Sequence, residues 1–228
     1  MALFTIGDLH LSFSTDKAMD VFDGWENYVE KLEQNWRARI TPADTVVLAG
    51  DTSWAMSLEN SLADFQFIHN LPGRKVVLKG NHDYWWATAS KMQAFFDANG
   101  LSSIEILHNN CVSADGKIIC GTRGWMMENG SAFDAKLVRR EAARLEASVA
   151  ASAGLEGERI AFLHYPPVYG GQSLPDMLEV LRRSGIRRCY YGHIHGLGAR
   201  YAVNGDHQGI RFQLIAGDFI GFDPVLVP

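Results

Sequence analysis

The amino-acid sequence predicts an α/β fold, because short apolar runs rich in β-branched residues alternate with longer segments of helical period. Most of the short runs show no alternation of apolar and polar residues, which predicts strands covered on both faces. Five of the runs end in a short block of polar residues of types that bind metals or transfer protons. Ligands bind at the carboxyl ends of strands in open α/β sheets, so we expect the five blocks to meet.

The strands are predicted from the apolar runs, taken in chain order. They are Leu3 to Ile6, Thr45 to Ala49, Lys75 to Leu78, Lys117 to Cys120, Arg159 to Leu163, Arg188 to Tyr191 and Ile210 to Ala216. Helical segments lie between them, and the clearest carries Val138, Ala142, Leu145 and Val149 at a spacing of three to four residues. Residues 121 to 133, rich in glycine and aromatic residues, are predicted to form a loop.

The length and charge of the chain limit the classes of protein to which it can belong. A chain of 228 residues without a linker-like stretch predicts one domain, residues 1–228. A net charge of −5 provides no general attraction for nucleic acid or for anionic membranes, so an anionic substrate must be attracted locally. The basic cluster of Arg182, Arg183, Arg187 and Arg188 is interpreted as a solvated helix end, which the helix dipole favours.

The cysteine content and the apolar segments indicate a compartment. The three cysteines, Cys111, Cys120 and Cys189, are spaced neither as disulfides nor as a zinc site, and we expect buried thiols in a reducing environment. The first residues show no basic, apolar or cleavage signature, and no run of about 18 apolar residues occurs elsewhere. We therefore expect a cytoplasmic protein without membrane association.

The five polar blocks contain the residues expected to carry chemistry. They are Gly7-Asp8-Leu9-His10, Gly50-Asp51, Gly80-Asn81-His82-Asp83, His164 and Gly192-His193-Ile194-His195. In an extended segment residues i and i+2 point the same way, so Asp8 and His10 can face one centre. The same spacing relates His193 to His195. The glycine before four of the blocks allows a sharp turn and a close approach of the backbone to an ion.

The residue types indicate the kind of metal. Carboxylates, imidazoles and one amide, without a thiolate, favour Mn²⁺, Fe²⁺/Fe³⁺ or Zn²⁺ over a structural zinc site built from cysteines. Six or seven such ligands exceed the needs of one ion, so we expect two divalent ions roughly 3.5–4 Å apart with a shared carboxylate. Each block alone is weak, since a lone Gly-Asp is a common turn and a lone histidine is more often a buried core residue.

In this order the blocks resemble those of the calcineurin-like metallophosphoesterase superfamily, from residue 7 to residue 195. The resemblance implies a four-layer α/β/β/α sandwich of two mixed sheets flanked by helices, with a dinuclear site at one end. It also implies that the first metal is held by Asp8, His10 and His195, and the second by Asn81, His164 and His193. Asp51 would bridge them. His82 would be the catalytic histidine and would not be coordinated.

The chemistry that the resemblance implies is attack of a metal-bound hydroxide on a phosphoryl group, with His82 protonating the departing alkoxide. For Asp83 two roles stay open: it orients a ligand or His82, or it caps the following segment. After Gly50-Asp51 the chain reads Thr52-Ser53-Trp54 instead of the Asp-Arg-Gly of serine/threonine protein phosphatases, which argues against a protein phosphatase.

Three further residues are candidates for contact with the substrate. The rings of Trp54 and Tyr84 could stack on a base or cover an apolar group, although packing at the edge of the sandwich explains such rings equally well. Arg123, in a predicted loop after a strand, is a candidate fork for phosphate. None of these residues is part of the metal-binding pattern.

Three functions are compatible with the sequence. The leading hypothesis is a phosphomonoesterase or phosphodiesterase acting on a small phosphorylated molecule. A nuclease of the same superfamily would normally need a basic track, which only the arginines near residue 185 offer. A scaffold that has lost catalysis should lack some ligands, and none is missing here. The sequence does not identify the substrate or the oligomeric state.

Overall fold

The computed structural model describes residues 1–127 and 132–228, apart from the side chain of Phe133. The elements run in chain order as β1 (Leu3–Ile6), α1 (Tyr28–Arg39), β2 (Thr45–Ala49), a 3-10 turn (Glu59–Ser61), α2 (Leu62–Asn70), β3 (Arg74–Leu78), α3 (Ala89–Ala98), β4 (Ile104–Ile106), β5 (Cys111–Ala114), β6 (Lys117–Thr122), α4 (Ala132–Ala150), β7 (Glu158–Leu163), β8 (Val168–Tyr169), β9 (Gln172–Ser173), α5 (Pro175–Arg183), β10 (Arg188–Tyr191), a 3-10 helix (Gly196–Tyr201), β11 (Gly205–His207), β12 (Ile210–Leu214) and β13 (Val225–Val227).

The strands form two large mixed sheets. The first has the order β13-β1-β2-β3-β4, in which only β13 is antiparallel to its neighbour, with Leu3 opposite Val227. The second has the order β11-β12-β10-β7-β6-β5, with antiparallel strands at its two edges. A parallel bridge joins Gly7 to Ala216, beyond the ends of β1 and β12. The carboxyl ends of the parallel strands in both sheets therefore meet at one end of the molecule.

Alternate residues of each strand face different layers, which explains why polar residues are few in the central strands, with Thr5 and Lys75 among the exceptions. Leu3 and Val47 pack between the sheets against Phe162 of β7. Their sequence neighbours on the other face of the first sheet contact helices α1 to α3, and the outer face of the second sheet contacts α4 and α5. The four-layer α/β/β/α sandwich is confirmed.

The predicted strands are all present, with bounds that shift by at most two residues. The stripe on α4 is also confirmed, because Val138, Ala142 and Leu145 are buried and Val149 packs against the same core. The predicted loop at 121 to 133 is wrong at both ends, since β6 continues through Thr122 and α4 begins at Ala132. Residues 128–131 lie outside the described part of the chain.

The basic cluster lies where α5 ends. Arg183 is the last residue of the helix and pairs with Glu146 at 2.6 Å, while Arg188 pairs with Glu158 at 2.9 Å. Arg182 pairs with Glu179. The interpretation as a helix end is confirmed, and three of the four charges are matched by glutamates.

The cysteine thiols are free, with Cys120 and Cys189 buried and Cys111 partly exposed. Among the helices of the described ranges, none combines the length and the apolar character needed to span a bilayer.

Candidate metal centre

The polar blocks converge at the shared carboxyl end of the two sheets. Six side chains form two groups of three, within each of which the candidate ligand atoms lie no more than 4.8 Å apart. One group contains Asp8, His10 and His195, and the other contains Asp51, His164 and His193. Asp8, Asp51 and His164 are almost completely buried. Residues far apart in the sequence thus share one site.

Asp51 and Asn81 link the two groups. The Asp51 carboxylate lies 3.7 Å from Nε2 of His10 in one group and 3.4 Å from Nε2 of His164 in the other. Oδ1 of Asn81 lies 2.6 Å from the same His164 nitrogen. Asp51 therefore lies between the two groups, and Asn81 lies beside the second.

Four residues of these blocks have a left-handed backbone instead of the extended one expected from alternation, whereas His195 is extended. Asp8, His10 and Asp51 have φ angles of 59°, 47° and 50°, and His193 has a φ of 72°. Backbone hydrogen bonds hold this conformation, because the amides of Asp8 and His10 donate to the carbonyls of Gly50 and Asp51, each at 2.9 Å. Such left-handed residues cost on the order of 1–3 kcal/mol each and cluster at functional sites.

Two of the four glycines lie against carboxylates of the site. A Cβ at Gly80 would overlap the Asp51 carboxylate and amide, and a Cβ at Gly192 would overlap the Asp8 carboxylate. Gly7, in contrast, has its nearest neighbour at an ordinary 3.5 Å. The glycines were expected to let the backbone approach an ion; at Gly80 and Gly192 the close approach is to an aspartate.

His164 provides a test of whether the site fits a metal. Its Nδ1 lies 3.1 Å from the carbonyl of Ala49, which can only accept, so this nitrogen carries the proton. Burial lowers the pKa of His164 to about 3, so the ring is neutral and Nε2 has a free lone pair. That lone pair faces the oxygens of Asn81 and Asp51. A divalent cation would bind all three converging atoms, so the residues fit a metal.

His195 has a carboxylate partner on the side away from the site. Nδ1 of His195 donates to Asp218 at 2.8 Å, so Nε2, which lies 3.3 Å from Asp8, is directed inwards. This is the carboxylate–histidine arrangement typical of metal ligands. Burial lowers the pKa of His195, but Asp8 and Asp218 outweigh it and raise the pKa to about 10. Without a metal, an imidazolium supplies the positive charge.

Asp218 was not among the predicted site residues. It follows Gly217 directly after the last predicted strand, which repeats the Gly-Asp pattern of Gly7-Asp8 and Gly50-Asp51. That repetition was the signal that could have identified it.

The pKa values of the other histidines and carboxylates of the site also suit the binding of cations. Burial lowers the pKa of His10 and of His193 to about 3, so both imidazoles are neutral and able to bind metal. Burial and the nearby carboxylates of Asp83 and Asp8 raise the pKa of Asp51 well above its usual range. Nδ1 of His10 is buried and has no hydrogen-bond partner among the described residues. Divalent cations would relieve the repulsion between these carboxylates.

Asp83 connects the two loops that carry Asp51 and Asn81. Its carboxylate accepts hydrogen bonds from the amides of Asp51, Thr52, Ser53 and Gly80 and from the Trp85 indole. Asp83 is completely buried. None of these hydrogen bonds involves the His82 ring. Both loops are therefore fixed relative to each other through one side chain.

His82 lies beside the two groups and belongs to neither. Its backbone amide donates to Asp51 at 2.7 Å, which fixes its position relative to that carboxylate. Its Nδ1 lies 3.3 Å from the Tyr84 hydroxyl, and its ring centroid lies 4.4 Å from that of Trp54. Burial lowers the pKa of His82 below its usual value. The ring lies at the cavity without belonging to either group.

A cavity of about 530 Å³ opens over the site. The residues that line it include His10, Asp51, His82, His193, His195 and Trp54. Tyr84 is exposed and reaches the site through His82.

Arg123 lies away from this cavity, in a separate crevice with Lys79, His108 and Arg144. Its guanidinium lies over the Trp125 ring at 5.0 Å and 3.9 Å from Glu141. The geometry adds no support to its predicted phosphate contact, which stays a prediction.

The fold and the site together define a class: a four-layer α/β sandwich with two adjoining carboxylate–imidazole groups suited to a pair of metal ions. A family model described as calcineurin-like phosphoesterase matches residues 1–197. The chain belongs to this family, and is thus a metal-dependent phosphoesterase in general character. No curated protein matches the sequence.

Solved structures share the fold at low sequence identity. A phosphopantetheinyl hydrolase from Mycobacterium tuberculosis has a TM-score of 0.57 and 12% identity, with 99% of this chain and 95% of that chain covered. A protein of unknown function from Aquifex aeolicus has a TM-score of 0.51 and 15% identity, with the same coverage. A protein from Thermus thermophilus has a TM-score of 0.57 and 13% identity, with 85% of this chain and 81% of that chain covered. These similarities support the fold alone.

Proposed function

We propose that this protein hydrolyses phosphomonoesters or phosphodiesters of a small substrate with the help of two divalent metal ions, Mn²⁺, iron or Zn²⁺. The observation that carries the proposal is the pair of ligand groups that adjoin at Asp51 and face one cavity. Two ions at these positions would lower the pKa of water and neutralise charge on the phosphoryl oxygens.

The side chains divide between holding ions and moving a proton. Asp8, His10 and His195 would hold one ion, Asn81, His164 and His193 the other, and Asp51 both. His82 would protonate the leaving oxygen, since the Tyr84 hydroxyl engages Nδ1 and leaves Nε2 for the transferred proton. Asp218 would keep the His195 ring in its orientation.

The direct test is hydrolysis of p-nitrophenyl phosphate and bis-p-nitrophenyl phosphate by protein loaded with Mn²⁺. We expect turnover of at least one of the two esters, and loss of that turnover in Asp51→Asn. The exposed variant Asp97→Asn, on α3, is the matched control and should retain full activity. Absence of turnover of both esters by metal-replete protein would contradict the proposal.

The two alternatives can be separated by binding measurements. A nuclease should bind DNA with a steep dependence on salt, but three of the arginines near residue 185 are paired with glutamates. A scaffold without catalysis should fail to retain metals, so two equivalents of metal by elemental analysis would oppose it. The free cysteines support a cytoplasmic location, which belongs to the same proposal.

A further inference from the structure

The cavity over the metal centre is larger than a phosphoryl group needs. Its volume of about 530 Å³ lies within the range of roughly 300–1,000 Å³ that is typical of sites for complete small molecules. The candidate metal ligands and His82 form only part of its lining. The rest of the volume is therefore available for another part of the substrate.

The rest of the cavity wall comes mainly from the segment between β1 and α1, which contributes apolar side chains together with Lys17 and Asp23. Met19 and Trp25 from this segment line the cavity together with Trp54, and both are buried. At the mouth, Val21 and Phe22 are 72% and 55% exposed. Large apolar side chains exposed side by side at the rim of a cavity indicate contact with an apolar ligand.

Trp54 places this wall next to the proton donor. Its ring lies 4.4 Å from the ring of His82 and stacks on His10 at 4.9 Å. Its indole donates to the Met19 sulfur at 3.3 Å, which joins it to the apolar segment. A group on the oxygen that receives the proton from His82 would therefore lie along Trp54 and Met19.

We propose that the substrate is a phosphate ester whose leaving alcohol carries a large apolar or aromatic group, bound against the wall formed by Met19, Val21, Phe22, Trp25 and Trp54. This inference rests on the proposed function, because it assumes that the same cavity holds the reacting phosphoryl group. It adds the chemical class of the leaving group, which the metal ligands do not determine.

The test uses alkyl esters that differ only in apolar length. Ethyl, butyl and hexyl phosphate, and the corresponding dialkyl phosphates, have leaving alcohols of nearly equal acidity, so the chemical step is held constant. With Mn²⁺-loaded protein and product detection by ³¹P NMR, we expect kcat/KM to rise about threefold to fourfold for each buried methylene.

Two variants locate the effect. Val21→Ser combined with Phe22→Ser should reduce the dependence of kcat/KM on chain length. Leu155→Ser, an equally conservative change at an exposed leucine after α4, is the matched control and should retain the full dependence. Both sites are exposed, so neither protein should lose its fold.

A binding measurement gives a second readout that does not require turnover. Hexylphosphonate, which is not hydrolysed, should bind more tightly than ethylphosphonate in calorimetry, with a more negative heat-capacity change. The double variant should lose this preference. Because binding of a phosphonate does not require catalysis, this measurement tests the apolar wall independently of the proposed function.

The outcomes are distinguishable. Turnover that is independent of chain length, or a preference that survives in the Val21 and Phe22 double variant, would overturn the apolar leaving group and leave the phosphoesterase proposal intact. No turnover of any ester would overturn the proposed function, and the two phosphonates would then still decide whether the wall binds apolar groups.

Discussion

Among single residues, His82 is informative because it lies beside the candidate metal ligands without being one of them. It lines the cavity and lies near the Asp51 loop, but it belongs to neither ligand group. Removal of its ring should therefore leave metal binding intact. This separates a proton donor from a ligand, which a loss of activity alone cannot do.

We predict that His82→Ala retains both metals and loses about 10²- to 10⁴-fold in turnover of alkyl phosphates, whose alkoxides need a proton. Turnover of p-nitrophenyl esters should fall much less, since nitrophenolate departs without one. Steady-state kinetics on both substrates, with elemental analysis of the same samples, provides the measurement. Equal turnover by the variant and the native protein would remove His82 from the mechanism.

Asp218 would affect metal binding indirectly, through its hydrogen bond with Nδ1 of His195. Asp218→Asn should weaken metal binding about 10- to 100-fold, because an amide holds and polarises the imidazole less well than a carboxylate. Metal titration by calorimetry measures the change. Asp206→Asn on the exposed strand β11 is the control. Unchanged affinity in Asp218→Asn would show that the ring keeps its orientation without this partner.

On the scale of the secondary-structure elements, the site is assembled from strand ends whose loops fit closely against one another. Gly80 lies against the Asp51 carboxylate and Gly192 against the Asp8 carboxylate. The loops that carry Asp51 and Asn81 are further joined through Asp83. Addition of a methyl group at either of these glycines should therefore displace a candidate metal ligand.

We predict that Gly80→Ala abolishes metal binding at the Asp51 side and most activity, because its Cβ would overlap Asp51. Gly7→Ala, with its nearest neighbour at 3.5 Å, should change activity less than about twofold. Metal content and esterase activity of the pair are the measurements. Loss of activity in both variants, or in neither, would show that the steric argument is wrong.

The central strands could be predicted from sequence because burial on both faces favours apolar residues at almost every position, as in Thr45–Ala49, where only Thr45 is polar. The short strands β4, β5, β11 and β13 could not, since three or four residues carry no distinguishable period. The blocks of ligands were recognisable from residue types alone. Their left-handed backbone was not, because it depends on carbonyls of Gly50 and Asp51 from another strand.

The apolar wall of the cavity shows a similar limit. Met19 and Trp25 lie in a segment without helical or strand period, so no pattern placed them near the site. Tyr84 and Trp85 are adjacent in sequence but differ in burial. Tyr84 is exposed, and Trp85 packs in the core against Phe65. Which ring of such a cluster reaches a cavity is decided by tertiary packing.

On the scale of the whole molecule, the candidate metal centre links the two sheets, because its candidate ligands follow β1, β2 and β3 of one and β7 and β10 of the other. Ions that bind only the folded chain stabilise it by about 2.7 kcal/mol each at a hundredfold excess over Kd. For a protein of this length that corresponds to a rise in Tm of roughly 5–10 °C per ion.

Chelation with EDTA should therefore lower Tm, and Mn²⁺ should restore it, as measured by differential scanning calorimetry. The double variant His10→Ala with His193→Ala should show no response to the chelator, because it lacks a ligand on each side. A Tm that does not depend on chelator in the native protein would indicate that no metal binds at this centre.

The pairing of β13 with β1 has a consequence for the integrity of the site. Since Leu3 lies opposite Val227, the strand that leads into Asp8 has neighbours on both sides. Proteolytic removal of residues from Val225 onwards would leave β1 as an open edge, able to recruit an extended strand from another copy. We expect such trimmed protein to self-associate in analytical ultracentrifugation. The last strand would then prevent aggregation at the edge of the sheet that leads into Asp8.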